Sequence, residues 1–158
     1  MALPASGLPF PPVFELSGRS MEPSLSRGWR VRVEPLDGDP EPGALVLFQT
    51  ASGYLLHRVL HLARQRDGSF VFHRGDAQGG IGLIRADACL GRVTAVLSPS
   101  GEPVPTLERL PAARRRAFER ARARSRAFAR ARAVALGLGL VGTPLARLGR
   151  RALRRLLR

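Results

Sequence analysis

The chain has 158 residues, enough for one domain and an appendage, and 44% of them are hydrophobic, enough for a real core. Its formal net charge is +14, and all 26 basic residues are arginine. A single cysteine, Cys89, excludes an intrachain disulfide and a multi-cysteine metal site, and its setting between Ala88 and Leu90 reads as a buried small hydrophobe.

The charge is unevenly spread. Residues 1–108 carry 10 arginines against 11 acids, whereas residues 109–158 carry 16 arginines against Glu119 alone. A near-neutral domain therefore bears a cationic C-terminal segment, and such segments attract phosphates on nucleic acid or anionic lipid. Met1 to Pro12 has no basic start and carries Pro4, Pro9, Pro11 and Pro12, so it reads as an extended lead-in and not as a signal peptide.

Val13 to Leu16 is a first short strand, running into the turn around Ser20. Trp29 to Val33 alternates apolar and polar residues with the period of a half-buried strand. Pro35 to Pro42 is a loop, and Gly43 to Gln49 is a strongly apolar strand. Ala51-Ser52-Gly53 turns the chain into Tyr54 to Leu62, which carries His57. Arg66-Asp67-Gly68-Ser69 is a second hairpin turn by its Asp-Gly pair, leading into Phe70 to Phe72. His73-Arg74-Gly75-Asp76 follows as a turn, and Leu90 to Leu97 closes the set. The pattern predicts a mainly β fold over 13–98, a curled antiparallel sheet.

Residues 99–105 read as a Pro/Gly linker to an Arg-rich amphipathic helical tail over 106–158. From Pro111 to about Leu136 the chain is rich in Ala and Arg without glycine, a strong helix former. Ala117, Phe118, Ala121, Ser125, Phe128 and Ala135 fall near one face. Thr143-Pro144 reads as the cap and start of a second helix with a leucine stripe. The uncharged run in the tail, Ala133 to Ala146, is shorter than the ~20 residues a spanning helix needs.

Ser20 and His57 stand out chemically. A nucleophilic serine needs exposure, a base in reach and donors for the oxyanion. Without lysine, that base must be histidine or a carboxylate, because arginine stays protonated. Gly18 lets backbone approach a substrate carbonyl, Met21 anchors the turn or lines a pocket, and Pro23 fixes the chain after the serine. The ordinary pKa of His57, about 6.5, suits a general base. Asp76 is the carboxylate placed to orient the imidazole, and it also suits a plain turn cap. His61 and His73 read as surface or turn residues. His57 and His61 are four apart on one strand, which puts them on one face too far apart to chelate, so no metal or other cofactor is expected.

The run Ser20-Met21-Glu22-Pro23-Ser24-Leu25, with Gly28 after it, resembles the serine box of the signal peptidase and repressor-protease superfamily. Pro42-Gly43-Ala44-Leu45-Val46-Leu47-Phe48 resembles its Pro-Gly-Asp strand, with Ala44 where Asp is usual. Leu56-His57-Arg58-Val59 resembles the His-Arg-Val box of the archaeal and endoplasmic-reticulum branch, in which histidine replaces lysine. Arg74-Gly75-Asp76-Ala77 resembles the Gly-Asp box, and Leu90-Gly91-Arg92-Val93 the closing strand. The resemblance covers about residues 13–97.

It implies a serine endopeptidase with Ser20 as nucleophile, His57 as general base and Asp76 as acidic partner or structural residue. Substrate would be a peptide or precursor protein, bound as an added strand. The branch's second aspartate is missing, since Gln78 to Leu83 holds no acid before Asp87. The position two before the nucleophile, often an oxyanion hydroxyl in the family, is Gly18, leaving backbone N–H groups and Ser17 to serve. In this reading the tail replaces a spanning anchor and meets an anionic membrane surface, and with no export signal read in the sequence the chain is expected inside the cell or peripheral at the membrane face. The alternative is a non-catalytic or self-cleaving repressor-like regulator whose tail binds nucleic acid. Phe118 and Phe128 are the tail's only aromatics for base stacking, which favours lipid or a protein partner.

Overall fold

The computed structural model describes residues 13–77, 80–104 and 112–137. Seven strands form one open antiparallel sheet: β1 (Val13–Glu15), β2 (Arg30–Glu34), β3 (Leu45–Thr50), β4 (Gly53–Gln65), β5 (Gly68–Arg74), β6 (Gly82–Arg85) and β7 (Cys89–Leu97). Their spatial order is β1-β2-β7-β3-β4-β5-β6. Six of these strands fall where the sequence pattern puts them. The exception is β6, with the short 3-10 turn Ala86–Ala88 after it, in a stretch to which the sequence pattern assigned no element. His73 and Arg74 likewise extend β5 instead of forming a turn.

The central strand β3 explains the layering. Leu45, Val46, Leu47 and Phe48 are all buried, so both faces of the sheet are covered there. Leu45 and Leu47 join Met21, Leu25, Val31, Val33, Leu56 and Val96 in one cluster. Val46 and Phe48 join Val59, Val71 and Cys89 on the other face. The expected burial of Cys89 is met, and burial pushes its thiol pKa up to about 12.

A third cluster, Leu60 and Phe72 with Ala121 and Ala129, is closed by helix α1 (Ala112–Gly137). The expected helix is present, but it is docked and not a free appendage. Ala121, Ser125 and Ala129, four apart, are buried against the sheet, flanked by half-buried Phe118 and Phe128. Arg74 Nη1 donates to the Ala117 carbonyl at 3.2 Å, and Gln65 Nε2 to the Ala129 carbonyl at 2.8 Å. Arg132 pairs with Asp67 and lies over the Phe70 ring at 4.3 Å. The lead-in over 1–12 and the second helix after Thr143 lie outside the described residues.

A register shift in the β4–β5 ladder sets the direction of the histidines. Val59 pairs with His73 and His61 with Phe72, so Leu60 is an extra residue. The bulge flips the strand's alternation. His57 and His61 therefore leave β4 on opposite faces, which corrects the expectation that a spacing of four keeps them together.

Candidate active site

Three segments meet at the end of β4 and β5. The first is the turn after β1. Leu16 N–H donates to Trp29 O and Gly28 N–H to Leu16 O, both at 2.8 Å, closing a loop from Leu16 to Trp29. Met21 and Leu25 drop into the core from this loop. Ser17, Gly18 and Pro23 are exposed, Ser20 is half-buried, and the Glu22–Pro23 peptide is cis. Nothing lies within 4 Å of a Cβ built on Gly18, so the space beside that residue is open.

The second segment is β4, carrying His57. The third is Gly75-Asp76-Ala77, whose Ala77 N–H donates to the Ser20 carbonyl at 2.8 Å. Gly75 is where the catalytic candidates meet. An ideal Cβ on it would lie 3.1 Å from Ser20 Cβ, 3.0 Å from His57 Nε2 and 2.5 Å from the Ser20 carbonyl oxygen. Only a residue without a side chain fits between them. Ser20 Cβ and the imidazole Nε2 thus both lie against the same glycine. His57 Nε2 is buried and has no hydrogen-bond partner among the described residues. Among the described residues no backbone carbonyl accepts from the Ser20 N–H.

The other ring nitrogen departs from expectation. His57 Nδ1 is 2.9 Å from His73 Nδ1, and both rings are buried, 7% and 5% exposed. Asp76 does not take that place. Its two oxygens accept from Arg58 Nε at 3.0 Å and Arg58 Nη2 at 2.8 Å, a buried bidentate pair. Arg58 Nη1 also donates to the Gly43 carbonyl at 2.8 Å. Asp76 thus holds the Gly75–Ala77 loop to β4 and acts on His57 through its charge. Burial lowers the His57 pKa to about 4, with the Asp76 charge opposing. Burial, and secondarily His57, lowers His73 to about 4.

His61 and His73 are buried, which corrects their reading as surface or turn residues. His73 packs against Phe48 at 4.9 Å and is overlaid by Gly82, where a Cβ would fall 2.2 Å from the ring. That glycine inside a strand was the sequence signal for a close neighbour. His61 belongs to the helix side. It stacks on Phe72 at 4.6 Å and bonds Ser125 Oγ at 2.9 Å. Ser125 donates its one hydroxyl proton to the Arg122 carbonyl, so His61 Nδ1 carries the proton it gives to Ser125. Burial, with Arg126 and Arg122, lowers the His61 pKa to about 4.

Among the described residues no group of three His, Cys, Asp or Glu side chains could hold a metal ion. No helix there is long and apolar enough to cross a membrane. Comparison with protein-family models, curated proteins and solved structures gave no match to this chain.

Proposed function

We propose that this chain is a serine endopeptidase of the signal peptidase type, its open sheet serving as the superfamily's catalytic β domain. The observation that carries the reading is the convergence at Gly75 of Ser20 with the buried, unpartnered Nε2 of His57. A buried ring nitrogen without a partner is costly, and a substrate-bound serine hydroxyl would supply the missing bond. Catalytic hydrogen bonds commonly tighten only when substrate binds.

In this reading Ser20 Oγ attacks the scissile carbonyl while His57 Nε2 takes its proton. The Ser20 N–H and neighbouring backbone donors stabilise the tetrahedral oxyanion. His57 then gives the proton to the leaving amine, and the C–N bond breaks to leave an acyl-serine. Water, deprotonated by His57, hydrolyses that ester and restores the serine. Arg58 and Asp76 hold the loop that fixes the serine's carbonyl. The outer face of α1, with exposed Arg115, Arg116, Arg120, Arg124 and Arg130, is the surface offered to an anionic membrane.

Incubation with a peptide library read by mass spectrometry tests the activity. Cleavage with a defined residue preference, absent in Ser20→Ala and in His57→Ala, is the expected result. Cleavage that survives Ser20→Ala would overturn the assignment.

A further inference from the structure

The two facing Nδ1 atoms of His57 and His73 pose a proton-counting problem. A hydrogen bond 2.9 Å long between them needs one donor and one acceptor. If His57 donates, its Nε2 holds a lone pair beside Gly75 and is a base. If His73 donates, His57 carries its proton on Nε2 and cannot accept one from the serine. Which ring donates therefore decides whether the site is competent.

The surroundings select between the two forms. His57 Nε2 is buried with no partner among the described residues. Orphaned buried N–H groups are rarer than under-satisfied acceptors, so the lone pair belongs on Nε2 and the proton on Nδ1. His73 is held to receive it. Phe48 packs on its ring, Gly82 closes over it, and its Cα pairs across the ladder with Val59, two residues from His57 on the same strand face.

We propose that His73 is the positioning residue of the site, a neutral imidazole accepting the His57 Nδ1 proton and so holding Nε2 as the base for Ser20. The inference rests on the peptidase reading and replaces Asp76 as the orienting group. When His57 takes the serine proton it becomes an imidazolium, and its bond to His73 becomes charge-assisted. Asp76 contributes at that moment through its nearby charge, with Arg58 keeping it in place.

The test pairs imidazole 15N NMR of the wild-type chain with labelling of Ser20 by a fluorophosphonate. The spectrum is expected to show His57 protonated on Nδ1 and bare on Nε2, with His73 bare on Nδ1. His73→Leu fills the space without an acceptor. It should lose the His57 Nδ1–H signature and label on the order of 10²- to 10⁴-fold more slowly. His73→Asn, whose Oδ1 can stand near the old Nδ1, should recover much of that rate. If His73→Leu does not fold, the wild-type spectrum decides alone. A wild-type chain that never labels overturns the peptidase reading and this inference with it. A wild-type chain that labels overturns this inference alone if His57 carries its proton on Nε2, or if folded His73→Leu labels equally fast.

Discussion

Gly75→Ala is the smallest change that separates Ser20 from His57. The added methyl would stand 2.5 Å from the Ser20 carbonyl oxygen, where ordinary contact begins near 3.4 Å. Relief by moving the serine would need a shift of roughly 1 Å, but the same carbonyl is fixed by the Ala77 N–H. His57 Nε2, 3.0 Å away, cannot retreat freely because its ring is tied to His73. Overpacking of this kind costs about 1–3 kcal/mol of stability. A displacement of about 1 Å at the reacting atoms costs on the order of 10²-fold in rate. Urea denaturation and kcat/KM on a cleaved peptide would measure the two effects. Gly80→Ala is the control, since a Cβ there meets nothing within 4 Å. Gly75→Ala with wild-type stability and wild-type kcat/KM would refute the claim that serine and histidine meet at this glycine.

The remaining predictions concern charge. Asp76→Asn leaves Arg58 buried and without its anion, and should destabilise the chain by about 3–5 kcal/mol in urea melts. Arg58→Met with Asp76→Leu should recover much of that loss, because no buried charge remains. Native His57 and His73 resist protonation down to about pH 4, while the unfolded chain takes up protons near pH 6.5. Stability is therefore full above pH 6.5 and falls as pH drops toward 4, by at most about 3 kcal/mol for each ring. Denaturation midpoints at pH 7 and pH 4.5 would check this, and kcat/KM should keep its acid limb near pH 4 and not 6.5. The whole chain should float with anionic but not neutral liposomes and release with salt. Binding to DNA at similar salt without binding to liposomes would favour the regulator reading.

The strands were legible because their signals are local. Alternation marks Val31 and Val33, an unbroken apolar run marks Leu45 to Phe48, and Asp67-Gly68 marks the hairpin, with Gly68 at φ +130°. The helix stripe was legible for the same reason, since Ala121 and Ser125 repeat at helical spacing. What escaped depends on long-range packing. The extra residue Leu60 carries no mark in the sequence, yet it sends His61 to the helix and leaves His57 with His73. Arg58 was visible beside His57, but only the fold brings Asp76 onto its guanidinium. His73 looked like a turn residue because Gly75 follows it so closely, and the strand instead runs to Arg74.

The proposed function makes Ser20 a nucleophile served by His57. Its most direct test is intact-mass and peptide mapping after exposure to a fluorophosphonate. One adduct per chain is expected, on Ser20, absent in Ser20→Ala and reduced to background in folded His57→Ala. An unmodified wild-type chain, or an adduct on another residue that survives Ser20→Ala, would contradict it.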